Sequence, residues 1–229
     1  MQIEVEAKPS FGMAVVKLDP GETIVAEAGA MVAMSPGVKV DTTFAGGGGG
    51  VGSMISAAVI GLARKFLAGE SMFVNRFKAS GSGAEVMLAP TMVGDVIHLG
   101  LDKAALTVQG TSYLASSPDI GVDVVWGGFS MMFSGEGAFF LRCHGTGDLL
   151  LNAYGAIEKV DVDGSYVVDT GHLVAYEGNL TYKLRRAGGW KSTLLSGEGM
   201  VLEFSGKGRL WLQTRNLGSL VSWVTPHLP

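Results

Sequence analysis

The stretch that decides the fold is GEGMVLEFSGKGRLWLQ, residues 197–213, because its pattern occurs twice more in the chain. The counterparts are GESMFVNRFKASGSGAEVML, which begins at residue 69, and GEGAFFLRCHGTGDLLLN, which begins at residue 135. Each copy has Gly-Glu and a small residue, a strand-like run, a Gly-x-Gly element and a second strand-like run. Such runs separated by glycine are typical of short strands joined by tight turns, so we predict a hairpin in each copy. The repeated pairs, for which we predict a structural role, are Gly69, Glu70, Gly135, Glu136, Gly197 and Glu198.

A second repeated element precedes the first one. VAEAGAMVAMSP (25–36) aligns with VVDTGHLVAYEG (167–178) and, more weakly, with VQGTSYLASSP (108–118). Two linked elements that recur three times in the same order predict an internal triplication. The sequence therefore predicts an all-β chain of three tandem sandwich-like or barrel-like modules with one inserted helix. The predicted boundaries are 1–100, 101–160 and 161–229, the last including a C-terminal tail.

The first module is the longest because it carries an insertion, residues 41–68. This insertion holds a glycine tract and then a run with the 3.6-residue apolar period of a helix, residues 53–68. Two interpretations stay open: the helix packs on the β core, or it contacts a partner subunit or a membrane surface. The residues for this contact, within 46–68, are Met54, Ile55, Val59, Leu62, Arg64, Lys65 and Phe66. The glycine tract also has phosphate-loop spacing, but Ser53 stands where that motif needs lysine, which favours a simple connector.

The composition narrows the class of protein. Apolar residues make up 47% of the chain and charged residues 17%, so a disordered chain is excluded despite 35 glycines. The formal net charge of −4 and the scattered cations argue against a nucleic-acid partner. One cysteine and no apolar leader-like run at the N-terminus predict a reducing, cytoplasmic location.

Three longer motifs show a family resemblance. They are GGGG followed by GES-x-F-x-N-x-F (46–77), VDTGHLVAY (168–176) and GEGMVLEFSGKGRLWLQTRN (197–216). Together they resemble the altered-inheritance-of-mitochondria family over about residues 3–222. The resemblance implies three fused β modules, each similar to a subunit of the tryptophan RNA-binding attenuation protein, and further assembly, with a trimer favoured. It also implies a link to inner-membrane organisation for the mitochondrial members, and it brings no catalytic residues with it.

The residues capable of chemistry are few and dispersed. His98, His144, His172 and His227 do not show metal-ligand spacing, so no metal site is predicted. His172 stands where the other copies carry Ala30 and Ser112, which marks it as a possible site residue. Three equivalent glutamates suggest a structural role, since a catalytic pair of carboxylates needs two different environments.

The sequence thus predicts a non-catalytic assembly or scaffold protein that forms a homo-oligomer and needs no cofactor. A peripheral membrane or protein contact through residues 46–68 accompanies this prediction. Two alternatives remain: a module that binds a small ligand or RNA, and an enzyme whose active site the sequence does not reveal.

Overall fold

The computed structural model describes residues 1–44, 73–125, 140–187 and 200–228, and most of these lie in β-strands. The predicted all-β class is confirmed. The strands fall into three successive segments of the chain. The first segment contains Gln2–Glu6 (β1), Met13–Leu18 (β2), Thr23–Glu27 (β3), Met31–Met34 (β4), Val38–Phe44 (β5), Phe73–Ala79 (β6) and Ala84–Leu88 (β7). The second contains Val96–Gln109 (β8), Tyr113–Ser116 (β9), Ile120–Val125 (β10) and Phe140–Asn152 (β11). The third contains Ile157–Asp169 (β12), Leu173–Arg186 (β13) and Met200–Gln213 (β14).

Alternating burial explains why these runs form strands. In β7, Ala84, Val86 and Leu88 are buried, while Glu85 and Met87 between them are half-buried. Successive side chains of a strand point to opposite faces, so one face packs into the core and the other meets solvent. Glycines and polar turn residues separate the runs, as the sequence predicted.

In each segment, late strands lie between earlier ones, and the strands within a segment pair antiparallel. β1, which pairs with β2, has no counterpart in the other two segments. In the first segment β7 lies between β2 and β4, and β6 lies between β3 and β5. In the second β11 lies between β8 and the pair β9 and β10, and in the third β14 lies between β12 and β13.

The predicted hairpins at the Gly-x-Gly elements are wrong. Residues 145–147 and 206–208 lie inside the continuous strands β11 and β14, and the turn at 81–83 connects β6 and β7, which belong to different sheets. The strands run through because long neighbours pair with both of their halves. Gly206 has φ +121°, and a Cβ there would lie 2.2 Å from the Asn179 carbonyl oxygen. Glycine therefore permits close backbone approach inside a bent strand instead of closing a turn.

Backbone pairing joins the segments to one another. Val25 and Ala26 of β3 pair with Ser116 and Ala115 of β9, which joins the first segment to the second. We call this contact the first junction.

A second junction joins the second segment to the third. Here Thr107 and Val108 of β8 pair with Tyr176 and Ala175 of β13. In both junctions, the C-terminal part of a strand that precedes a short connection, β3 or β8, meets the start of the strand that follows the corresponding connection in the next segment, β9 or β13. The result is one continuous sheet that runs from β12 to β5, beside a separate sheet in the order β1-β2-β7-β4.

The core is correspondingly shared between segments. One core cluster holds mostly first-segment residues but includes Leu114 and Leu150. Another, in the second segment, includes Val174 and Trp211 from the third. A third cluster, in the third segment, includes Phe140 from the second.

The one helix of eight or more residues among the described residues is Leu217–Val224 (α1), near the C-terminus. The sequence left this stretch ambiguous. Asn216 caps its start, because the side-chain oxygen of Asn216 accepts a hydrogen bond from Ser219 N. The predicted helix 53–68 lies outside the described residues. Of the predicted insertion 41–68, residues 41–44 belong to β5, where they pair with β6.

Candidate functional site

All residues predicted from the sequence as contact or repeat-motif positions lie outside the described parts of the chain. This holds for the membrane or partner candidates Met54, Ile55, Val59, Leu62, Arg64, Lys65 and Phe66, and for the repeat pairs Gly69, Glu70, Gly135, Glu136, Gly197 and Glu198. A functional site therefore has to be sought among the strands and the turns that connect them.

His98 belongs to a hydrogen-bonded chain that involves a carboxylate and a hydroxyl. His98 Nε2 lies 2.6 Å from Asp148 Oδ1, and Ser117 Oγ donates to Asp148 Oδ2 over 3.3 Å. In a nucleophilic triad the histidine stands between the hydroxyl and the carboxylate, whereas here the carboxylate is in the middle. Asp148 N also donates to Ser117 Oγ at 2.9 Å. The arrangement fixes the turn before β10 onto β11 and does not activate the serine.

His144 lies in an open groove of about 490 Å³ on the outer surface of the second segment. Its Nε2 atom is 2.9 Å from Asp123 Oδ2, and both side chains are exposed. Lys103 and Arg142 also line this groove. Exposed ion pairs of this kind interact weakly because water screens them. The other residues that line the groove are also exposed or half-buried, so no buried polar group is present there to orient a substrate.

His172, the residue that departs from the repeat pattern, has a structural hydrogen bond. Its Nδ1 lies 2.7 Å from the Gln213 carbonyl oxygen, and since a carbonyl can only accept, Nδ1 carries the proton. Gln213 Nε2 in turn donates to the Gly171 carbonyl oxygen. Asp169 accepts from Gly171 N at 2.9 Å. These bonds hold the single-turn helix Thr170–His172 (a 3-10 turn) against the end of β14.

The lone cysteine is part of the core. Cys143 is fully buried in β11, and desolvation raises the pKa of its thiol to about 12. Tyr113, in the same core cluster, also has its pKa raised by burial, and its hydroxyl pairs with Ser116 Oγ at 2.9 Å. A thiol with a raised pKa is a poor nucleophile, since the thiolate is the reactive form. Cys143 therefore packs and does not react.

The feature that stands out in the described residues is the strand β4. Its residues Met31, Val32 and Met34 are 41%, 57% and 42% exposed, although the strand is apolar throughout. The strands at the same place in the other segments, β9 and β13, are buried along this stretch. All three strands share one irregularity, a single extra residue where the register to the neighbouring strand shifts. The corresponding strand is therefore buried in the second and third segments and exposed in the first.

The sequence pattern of the mitochondrial biogenesis AIM24 family matches residues 3–215. The chain belongs to the AIM24 family. This confirms the family that the glycine and Gly-Glu motifs predicted.

Two relatives of this AIM24 member come from Streptococcus pyogenes. One is an uncharacterized protein of serotype M6, 28% identical over 240 residues, which cover 100% of this chain and 92% of the relative. The other is the subject of an X-ray crystal structure, from a structural-genomics project. It is 25% identical, with a TM-score of 0.78 over 99% of both chains. The fold described above is therefore shared by the AIM24 member and a protein of known structure.

The described residues contain neither a cluster of side chains that could hold a metal ion nor a helix that could span a membrane. Residues 1–44, 73–125, 140–187 and 200–228 contain no group of three or more His, Cys, Asp or Glu side chains placed to hold a metal ion. Within the same ranges, no helix combines the length and apolar character needed to cross a membrane.

Sequence reasoning missed β4 as a surface feature. The alignment placed AMVAM beside SYLAS and HLVAY as a repeat, but it treated the three copies as equivalent. One signal was available: methionine occupies two positions of the first copy, Met31 and Met34, where the other copies have different residues. Methionine is common at adaptable contact surfaces.

Proposed function

We propose that this AIM24 family member is a non-catalytic scaffold protein that acts as a cytoplasmic homo-oligomer. The observation that carries the proposal is the exposed apolar strand β4. An apolar strand with an unpaired edge is a template for pairing with another chain, and monomeric proteins usually protect such edges with charges, proline or a covering loop. β4 carries neither a charge nor a proline, since its sequence is Met-Val-Ala-Met, and it pairs only with β7 among the described residues.

We further propose that the scaffold consists of three copies of one module, each similar to a subunit of the attenuation protein. Three features support this. In each segment, a late strand (β6 and β7, β11 or β14) lies between earlier strands. They share the register irregularity next to Ala33, Ala115 and Ala175. The two junctions pair corresponding positions. Modules that join edge to edge within one chain are suited to joining further copies in the same way.

The chemistry of the described polar groups supports a scaffold over an enzyme. His98, His144 and His172 bond to groups that anchor turns or lie in solvent, and Cys143 is buried with a raised pKa. Catalytic groups at an active site normally converge on a cleft. Here the three histidines and the cysteine are distributed over separate elements.

Measurement of the molar mass of the full chain tests the proposed function. Light scattering coupled to size exclusion at micromolar concentration should give a multiple of 23.8 kDa, with about 71 kDa for the favoured trimer. A stable mass of 23.8 kDa at 50 µM, on the order of the highest concentrations in routine use, would remove the basis for a scaffold. Native mass spectrometry of the same sample addresses the alternative of a small-ligand or RNA-binding module. A stoichiometric bound compound would favour that alternative.

A contact between residues 46–68 and a membrane or protein partner is a separate proposal that rests on sequence alone. The run combines apolar residues at helical spacing with Arg64 and Lys65, a combination found in helices that lie in a membrane interface. Sedimentation with vesicles that contain anionic lipid should retain the full chain and lose a variant without residues 46–68. The double substitution Arg64→Gln and Lys65→Gln should weaken binding and leave the fold intact. Equal sedimentation of all three proteins would contradict the proposal.

A further inference from the structure

The junctions within the chain use two kinds of strand edge. Each kind occurs three times, and one edge of each kind is not used in a junction. One kind, the donor edge, is the C-terminal part of β3, β8 or β12, and the other, the acceptor edge, is the start of β4, β9 or β13. The first segment's donor edge meets the second segment's acceptor edge, and the second segment's donor edge meets the third segment's acceptor edge. This leaves the acceptor edge of the first segment, β4, and the donor edge of the third segment, the end of β12, without a partner strand in the described residues.

The two remaining edges match in chemistry. Val167 of β12 is 46% exposed, whereas its counterpart in the first segment, Val25, is buried by its pairing with β9. Tyr166 beside it is also exposed. Met34 of β4 corresponds to Ser116, which is buried at the first junction. Both open edges therefore expose apolar side chains where the first junction buries the corresponding residues, Val25 and Ser116.

The unpaired edges of β10, β5 and the C-terminal half of β13 differ from the donor and acceptor edges. β10 pairs with β11 alone, and β5 pairs with β6 alone. Their counterpart in the third segment is the C-terminal half of β13, which pairs with β14 alone. In none of the three segments does this edge meet another strand within the described residues, so it is an end of the sheet in every copy. β4 and the end of β12 are different. Their counterparts in the other segments, β9 and β13 for β4 and β3 and β8 for β12, pair with a strand of the adjacent segment.

We infer that β4 of one copy of this chain pairs antiparallel with the end of β12 of a second copy, in the register of the internal junctions. By that register, Val167 lies opposite Met34, and Val168 lies opposite Ala33 of the other copy. The inference rests on the proposed homo-oligomeric function and names its contact. It joins the four strands of the β1-β2-β7-β4 sheet to the strands β12, β14 and β13 of the next copy. The interface is head-to-tail, so each copy uses one edge of each kind.

Charge substitutions at the two edges test the inference. Met34→Lys and Val167→Lys each place a solvated ammonium group in the pairing edge, and lysine on an edge strand opposes strand addition. Each variant should elute at 23.8 kDa at concentrations where the unmodified chain is an oligomer. The control is Val125→Lys, on the unpaired edge of β10, where the native side chain is as exposed as Met34. This control should keep the full oligomer.

Mixing the two variants distinguishes head-to-tail pairing from other arrangements. The Met34→Lys protein keeps an intact β12 edge, and the Val167→Lys protein keeps an intact β4 edge. A mixture should therefore give a dimer of one copy of each that grows no further. No dimer in the mixture, or an oligomer that persists in either variant with a native circular dichroism spectrum, would overturn the inference. In that case the proposed scaffold function would still stand, because the unmodified chain would remain an oligomer.

Cross-linking tests the register even if a lysine variant does not fold. Opposed residues of antiparallel strands have Cα atoms about 4.5–5.5 Å apart, which suits a disulfide. Met34→Cys protein mixed with Val167→Cys protein should form a covalent dimer under mild oxidation, whereas Met34→Cys mixed with Val125→Cys should not. The native Cys143 is buried and does not compete. Equal cross-linking in both mixtures would exclude the proposed register.

Discussion

The strands β4 and β13 have the same place in the sheet and opposite environments. Both follow a turn, both have one extra residue in the register to their neighbour, and both begin with a run of apolar residues. Val174 of β13 is fully buried beneath the second segment, while its counterpart Val32 of β4 is 57% exposed. The difference shows that burial at this position depends on the presence of a neighbouring segment and not on the local sequence.

The same substitution at these two positions provides the largest expected effect. Val174→Ala removes two buried methyl groups and should lower the free energy of unfolding by about 2 kcal/mol. Val32→Ala should change it by under about 0.5 kcal/mol at low protein concentration, because the side chain is exposed in the single chain. Urea denaturation followed by circular dichroism measures both.

Protein concentration sharpens this comparison. If β4 pairs with β12 of another copy, the cost of Val32→Ala should grow as concentration rises and the oligomer contributes to stability. The cost of Val174→Ala should stay constant. Equal costs for the two variants at low concentration would show that the difference in exposure has no energetic meaning.

The second prediction concerns the glycines at the bends of the paired strands β12 and β14. Gly164 and Gly206 face each other in the register, and both have positive φ. A Cβ at Gly164 meets no atom within 4 Å, whereas one at Gly206 lies 2.2 Å from the Asn179 carbonyl oxygen. Gly206→Ala should therefore destabilise by about 1.5 kcal/mol more than Gly164→Ala, which isolates the cost of the clash from the cost of φ. Thermal unfolding of the two variants gives the difference.

The third prediction concerns the effect of pH on the free energy of unfolding through the buried thiol of Cys143. Cys143 corresponds to Ala79 and Phe204 in the other segments, and all three are buried. Its folded pKa of about 12 exceeds the ordinary value of 9.0, so the protonated form is favoured in the folded state. The stability that this provides is present below pH 9 and is lost as pH rises towards 12, with a loss of about 1 kcal/mol at pH 10.

A cysteine-free variant is the control for this pH dependence. Cys143→Ala should show a smaller decrease in the free energy of unfolding between pH 8 and pH 10 than the unmodified chain, although Tyr113, also buried with a raised pKa, still contributes. Identical pH dependence in the two proteins would mean that the Cys143 thiol ionises as easily in the folded state as in the unfolded state.

The smallest effect is expected at the exposed ion pairs of the third segment. Lys207 Nζ lies 3.2 Å from Asp163 Oδ2, and both side chains are about 80% exposed. Lys207→Met should change the unfolding midpoint in urea only slightly, within about 0.5 kcal/mol, because solvent screens the pair. A larger loss would show that this surface is buried in the oligomer and would revise the assignment of β4 and β12 as the contact.

Part of the fold could be predicted from the sequence, and part could not. The two strand-like runs of GESMFVNRFKASGSGAEVML were predicted as strands and are β6 and β7, because apolar alternation with period 2 reports directly on the two faces of a strand. The hairpins predicted at residues 145–147 and 206–208 were wrong, because glycine is compatible both with a turn and with a close crossing of backbones. Whether the chain turns or continues depends on the length of the neighbouring strands, which local sequence does not encode.

The candidate site shows the same division. The sequence identified three copies of the Val-Ala and Leu-Ala element around Ala33, Ala115 and Ala175, and it identified the AIM24 family before any comparison of structures. It also marked His172 as unusual, whereas the structure gives this side chain a carbonyl partner that fixes a turn. The predicted contact residues of 46–68 remain a prediction.

What the sequence by itself determined is the all-β class, the faces of most strands and the recurrence of linked elements, because side-chain alternation is a local property with a fixed period. What only the tertiary structure decided is which strand edges are covered. Strand edges pair through backbone N–H and C=O groups that are the same for every residue except proline, so a side-chain pattern carries little information about them. For that reason Met31–Met34 and Leu173–Tyr176 look equivalent in sequence, yet one is open and the other is buried.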